Sequence, residues 1–92
     1  MNEAQAVTDA EWLALGRKIA ALREERGWTQ AQLAAAVAKH EAAAEAAEGE
    51  AECAPATIAR YEHGVIRLST SRLCAIAEVL GMSAADLVDG VL

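Results

Sequence analysis

Apolar residues recur at helical spacing in successive segments of this sequence, and this repeat restricts the chain to a helical fold. In the first segment they lie three or four positions apart, on one face of a helix: Trp12, Leu15, Ile19 and Leu22. No segment shows the sustained alternation of apolar and polar residues that is typical of a half-buried strand. The pattern therefore predicts an all-α domain of five helices.

Capping residues and glycines set the predicted helix boundaries. Thr8 followed by Glu11 is a capping box in front of a helix over 10–26, and Gly27 fits the position after its last turn. The other boundaries follow from the same signals: a second helix from Gln30, a third over 55–63, a fourth capped by Thr70 or Ser69 and a short fifth after Ser83. We expect residues 1–9 to be a flexible N-terminus and residues 10–92 to form a single domain.

Each predicted helix has one apolar face, and all five faces need a shared core in which to be buried. We expect that core to contain Trp12, Leu15, Ile19, Leu22, Leu33, Val37, Ile58, Tyr61, Leu73, Ile76, Leu80 and Leu87. Cys74 lies on the apolar face of the fourth helix and is expected to join them.

Composition excludes several classes of protein. The 92 residues suffice for one domain, and no apolar run approaches the roughly 20 residues that cross a bilayer. Residues 1–9 lack the features of a secretory signal, so we expect a cytoplasmic protein with free thiols. The soft metal ligands are too widely spaced for a zinc site: His40, Cys53, His63 and Cys74. We expect no metal, no cofactor and no catalytic site, and therefore no enzyme.

Four motifs follow one another in a fixed order: TQAQLA at 29–34, TIARYEHG at 57–64, LCAIAEVLG at 73–81 and SAADL at 83–87. Their joint order and spacing resemble the Cro/C1-type helix-turn-helix family, also called the Xre family. This resemblance implies a five-helix, lambda-repressor-like fold whose third helix reads the major groove of double-stranded operator DNA. It also implies a homodimer on two half-sites. The apolar C-terminal residues are candidates for the dimer interface: Leu87, Val88, Val91 and Leu92.

The resemblance is interrupted between the second and third helices. Family members have a turn of about three residues there, and residues 52–54 fit that turn by position. Residues 38–51 are then a 14-residue insertion rich in alanine and glutamate, and residues 38–52 carry −4 of the total charge of −6. Two interpretations stay open: the second helix continues to about Glu48, or the segment is a flexible loop. Ala54 also replaces the Ser or Thr that usually caps the third helix.

The resemblance implies a set of DNA contacts on and around the third helix. Arg60 would pair with guanine, while Gln30 and Arg67 would meet phosphates. The full implied set is Gln30, Pro55, Ala56, Thr57, Ala59, Arg60 and Arg67. Arg60 and Gln30 also have structural interpretations, as a solvated helix residue and as support for the second helix. Arg23 and Glu62 resemble the family's interhelical ion pair, to which we assign a structural role.

The sequence is compatible with two functions. The first is a DNA-binding transcriptional regulator, most simply a repressor. The second is a protein-interaction module, antiactivator or antitoxin-like, that keeps the fold but binds a protein instead of DNA. Acidic residues at helical spacing in the insertion form a possible docking stripe for a basic partner: Glu41, Glu45 and Glu48. The same charge would alternatively repel phosphates and lower DNA affinity.

Overall fold

The computed structural model describes residues 7–44 and 52–92, which form five helices. These are α1 (Asp9–Glu25), α2 (Gln30–Ala44), α3 (Pro55–Glu62), α4 (Thr70–Val79) and α5 (Ala84–Val88). Within these two ranges the chain has no strand, and the predicted all-α class is confirmed. None of the helices described here has the length and apolarity needed to cross a membrane.

The helices begin where the capping signals place them. The Glu11 amide donates to Thr8 Oγ1 at 3.1 Å and the Thr8 amide donates to Glu11 Oε1 at 2.9 Å, which completes a capping box. Thr8 and Asp9 therefore belong to the start of α1, and the expectation of a flexible stretch over 1–9 is wrong at its last two positions. Residues 1–6 lie outside the described residues.

One core joins the helices, and most of its predicted members are buried. Those are Leu15, Ile19, Leu33, Val37, Ile58, Tyr61, Ile76, Leu80 and Leu87. Trp12, Leu22 and Leu73 are half-buried and pack against this core. Cys53 is buried in it, whereas Cys74 is only half-buried, so the expectation for Cys74 is corrected. The difference arises because Cys53 lies just before α3 and turns inward, whereas Cys74 lies at the edge of the buried face of α4.

The first and third helices approach each other closely at Gly16. A Cβ atom built there would collide with the Tyr61 carbonyl oxygen and lie 2.8 Å from the Glu62 carbonyl oxygen. Both contacts are backbone atoms of α3, so only a residue without a side chain fits at this crossing.

The last helix is held by the first. Lys18 Nζ donates to the carbonyl oxygens of Asp86 and Asp89, at 3.0 Å each. Leu87 is fully buried, and Val88 and Val91 pack against the core. The apolar residues at the C-terminal end therefore pack largely within the domain. Of the four residues expected to form a dimer interface, Leu92 is the exposed one, at 46%.

The second helix extends into the segment over 38–51 that is rich in alanine and glutamate. α2 runs to Ala44, so residues 38–44 are helical and the flexible-loop interpretation is wrong for them. This result agrees with the strong helix propensity of alanine and glutamate. The expected continuation to about Glu48 falls on residues 45–51, outside the described residues.

Candidate nucleic-acid interface

The third helix divides its residues between the core and the solvent. Ile58, Tyr61 and Glu62 are buried, whereas the remaining face is exposed or half-exposed: Pro55, Ala56, Thr57, Ala59 and Arg60. Pro55 occupies the first helical position, where its missing N–H costs nothing. Ala54 is the N-cap residue and makes no side-chain capping bond, as the sequence predicts. The resulting surface is apolar at its N-terminal end and cationic at Arg60.

A buried hydrogen-bonded group fixes the C-terminal end of α3 against α1 and α2. Arg23 Nε donates to Glu62 Oε2 at 2.7 Å and Arg23 Nη2 donates to Glu62 Oε1 at 3.2 Å. Arg23 Nη1 also donates to the Trp28 carbonyl oxygen at 2.7 Å. The structure thus contains the interhelical ion pair that the family resemblance implies. The hydrogen bond to Glu62 raises the pKa of Arg23 above its ordinary value, against the opposing effect of burial.

Gln30 joins this group instead of standing free at the start of α2. Its Nε2 donates to Glu62 Oε1 at 2.9 Å. This contact supports the structural interpretation of Gln30, in which the side chain stabilises the start of α2. Because a side-chain amide carries two N–H donors, one donor is still available for a ligand.

Arg67 lies on the surface just after α3. Its Nη2 is 3.4 Å from Asp9 Oδ1, and the two side chains are 67% and 97% exposed. An ion pair this exposed contributes about 0–1 kcal/mol. The guanidinium is therefore easily released to another anion.

Two grooves flank the start of α3. One, of about 520 Å³, is lined mainly by alanines of α2 together with Lys39, Glu52, Cys53 and Pro55. The other, of about 330 Å³, is lined by Glu52, Thr57, Tyr61, Ile66, Arg67, Ser69 and Arg72. Glu52 belongs to both grooves, and each groove also has a cationic residue in its lining. The surface around the start of α3 is therefore of mixed charge.

A model of the helix-turn-helix domain family matches residues 14–89, which is most of the chain. The chain belongs to this family. Comparison with curated proteins and with solved structures gave no match. A helix-turn-helix domain indicates a DNA-binding regulator in general, and the fold is typically non-enzymatic. Within residues 7–44 and 52–92, no cluster of His, Cys, Asp and Glu side chains has the arrangement needed for a metal ion.

This helix-turn-helix domain also contains a buried polar cluster that the sequence pattern did not predict. Glu41 on α2 and Arg72 on α4 are 3% and 2% exposed, and Arg72 Nε donates to Glu41 Oε2 at 2.7 Å. A signal was present in the sequence, because Glu41 continues the apolar spacing of Leu33 and Val37. Arg72 similarly lies four positions before Ile76 on the buried face of α4. Two opposite charges on buried faces indicate a pair, although they do not identify the partner.

The acidic docking stripe is corrected at its first member. Since Glu41 is buried and paired with Arg72, its carboxylate cannot meet a partner protein. The exposed face of the same helical segment instead carries Lys39, Ala42 and Ala43. Glu45 and Glu48 lie outside the described residues, so only those two acids remain in the docking hypothesis.

Proposed function

We propose that this domain is a Cro/C1-type (Xre family) transcriptional regulator that binds operator DNA and acts as a repressor. The observation that carries the proposal is the division of α3: Tyr61 and Glu62 anchor the helix, while its N-terminal half and Arg60 face solvent. Such a helix enters the major groove with the exposed residues towards the bases. Family membership over residues 14–89 supports the same assignment.

Arg60 is the proposed base-reading residue. A guanidinium pairs with the O6 and N7 atoms of guanine, and a good bidentate pair contributes about 1–3 kcal/mol of discrimination. Thr57 would bond a base or a phosphate, and Ala56 and Ala59 would contact thymine methyl groups. Pro55 would bring the backbone at the start of α3 close to the groove.

Phosphate contacts would come from both sides of α3. Among the described residues, Arg67 is paired with Asp9 alone, on the surface, and can exchange that partner for a phosphate. The second N–H of Gln30 would donate to a phosphate near the start of α2. These contacts orient the domain without reading sequence, and they make affinity depend on salt.

A single arginine on the reading face favours binding as a homodimer. Two copies of the domain on half-sites one helical turn apart, about 34–36 Å, would double the number of base contacts. Repression would follow from occupation of a promoter by such a dimer. Because α5 buries most of its apolar residues, we assign no specific dimer surface to it.

The test is genomic DNA selection with the purified protein, carried out at low and at physiological salt. We expect enrichment of sites with two related half-sites. Arg60→Ala should relax base preference, whereas Arg67→Ala should weaken all sequences alike and reduce the salt slope by about 1. Arg17→Ala removes the same charge from the exposed face of α1 and serves as the control. Failure to enrich any sequence at low salt would refute the proposal and favour the antiactivator or antitoxin-like module.

The acidic segment is proposed to lower DNA affinity. Glu45→Gln combined with Glu48→Gln removes two negative charges close in sequence to the start of α3, and tighter binding is expected at low salt, with less gain at high salt. Glu25→Gln combined with Asp89→Asn makes the same change in net charge on α1 and after α5. Equal effects of the two double variants on DNA affinity would show that only the net charge of the domain matters. If the first pair leaves DNA binding unchanged but abolishes capture of a basic partner, the docking hypothesis is favoured.

A further inference from the structure

A chain of buried polar contacts connects the insertion to the third helix. It begins at Glu41, which lies in the last turn of α2, within residues 38–44. Glu41 Oε2 accepts from Arg72 Nε at 2.7 Å, and Arg72 Nη1 donates to the Tyr61 hydroxyl at 3.1 Å. Tyr61 is 5% exposed and belongs to α3. Three helices, α2, α4 and α3, are therefore joined through one guanidinium.

This cluster places a full ion pair in the core, with both side chains 3% exposed. Burial by itself would lower the pKa of Arg72, but the hydrogen bond to Glu41 and the nearby Tyr61 and Cys53 groups outweigh it and raise the pKa. Arg72 therefore stays charged. A buried charge that loses its partner is strongly destabilising, whereas an apolar pair of similar volume is often as stable as the ion pair. The pair therefore adds little net stability over an apolar pair, but it fixes the orientation of both side chains.

A second contact holds the same part of α2 against α4. His40 Nε2 lies 3.0 Å from Glu78 Oε1, at a site where both side chains are partly exposed. Glu41 and His40 are neighbours in the α2 extension, and their partners lie six positions apart on α4. The described part of the insertion is thus attached to the body of the domain by two polar contacts.

We propose that Glu41 and Arg72 are positioning residues for the third helix. Residues 38–44 of α2 then hold α3 in the orientation needed for DNA binding, in addition to any repulsion of DNA by the acidic segment. Glu41 orients the guanidinium of Arg72, and Arg72 orients Tyr61 and with it α3. The consequence for DNA binding rests on the function proposed above, whereas the coupling within the protein does not.

The positioning role and simple electrostatic repulsion predict opposite signs for one substitution. Glu41→Gln removes a negative charge, so repulsion alone predicts tighter DNA binding. If Glu41 positions α3, the same change weakens binding because Arg72 loses its ionic partner. We expect Kd to rise about tenfold, which corresponds to about 1.4 kcal/mol. Glu25→Gln is the matched control: it removes the same charge from an exposed residue at the end of α1, and Kd should change by no more than about twofold, roughly 0.4 kcal/mol.

A double variant separates positioning from stability. Glu41→Leu alone takes the Glu41 carboxylate away from the buried guanidinium of Arg72 and should lower the urea midpoint, whereas Glu41→Leu with Arg72→Met should recover most of that loss. The double variant still lacks the bond from Arg72 Nη1 to the Tyr61 hydroxyl, and we expect its DNA binding to stay weak. Full recovery of DNA binding together with the urea midpoint would show that the pair acts only through stability and would overturn the proposal. Tyr61→Phe, which keeps the ring, should weaken DNA binding in the same direction.

Amide hydrogen exchange tests the coupling without DNA. In Glu41→Gln we expect the α3 amides to exchange about tenfold faster, a change in local opening of about 1.4 kcal/mol, while the amides of α1 keep their wild-type rates. If the wild-type protein binds no DNA, the proposed function fails and this measurement still decides the coupling. Unchanged exchange in α3 would overturn the positioning role. If Glu41→Gln does not fold, Tyr61→Phe and the double variant provide the same comparison.

Discussion

Replacement of Gly16 by alanine should test the close crossing of α1 and α3. The added Cβ would collide with the Tyr61 carbonyl oxygen and lie 2.8 Å from the Glu62 carbonyl oxygen and 2.9 Å from the Glu62 carbonyl carbon. These are backbone atoms of a helix, so they cannot move aside as the end of a flexible side chain would. The two helices must separate.

Two opposing effects determine the size of the change. Alanine in a helix interior is favoured over glycine by about 0.5–1 kcal/mol. Overpacking of a tight contact costs about 1–3 kcal/mol, and a collision with rigid backbone belongs at the upper end of that range. The net expectation is a loss of about 2 kcal/mol in the free energy of unfolding. For a domain of this size, that loss lowers Tm by roughly 8–16 °C.

Thermal and urea unfolding followed by far-UV circular dichroism measure this loss. Gly27→Ala is the matched control, because Gly27 has φ +71° but its added Cβ meets nothing within 4 Å. The free energy of unfolding of that control should fall by only about 1 kcal/mol, because alanine is disfavoured in the left-handed backbone conformation that Gly27 adopts. A Gly16→Ala variant as stable as wild type, or a larger loss in Gly27→Ala, would refute the steric explanation.

Other substitutions test the caps and the buried ion pair. Glu62→Gln removes the carboxylate from Arg23, which keeps its longer contact with the exposed Glu24 and its bond to the Trp28 carbonyl oxygen, and should cost about 1.5–3 kcal/mol in urea unfolding; a loss below about 1 kcal/mol would place the pair among ordinary surface ion pairs. Thr8→Ala removes the capping box of α1 and should cost about 0.5–2 kcal/mol, measured by the same assay. Ala54→Ser should instead stabilise the domain by about 1 kcal/mol, because α3 has no side-chain cap and Ala54 already has an extended backbone. Unchanged or reduced stability of Ala54→Ser, with Ala54→Val as control, would contradict that explanation.

Local signals in the sequence predicted the helix starts well. The pairs Thr8 with Glu11, Thr29 with Gln32 and Ser83 with Asp86 are each three residues apart, and the structure forms a capping bond at every one. Such bonds depend only on neighbouring residues, so they can be recognised without knowledge of the fold.

Long-range pairing could not be predicted in the same way. Glu41 and Arg72 are 31 positions apart, and an acid in an alanine-rich segment has no sequence signal for burial beyond its place on an apolar stripe. Gln30 illustrates the same limit, since its contact with Glu62 depends on how α2 and α3 cross. The exposed face of α3, by contrast, followed from the helical period once Ile58 and Tyr61 were placed in the core.

The contact between Lys18 and the end of α5 has a consequence for the order of folding. Its acceptors lie 68 and 71 residues after Lys18, so this contact closes a loop that contains α2, α3 and α4. Contacts over such a separation have a high loop-closure entropy and form late. Until they form, the core position of Leu87 is empty, and the other four helices have an open side to their core. Docking of α5 is therefore the step that completes the core.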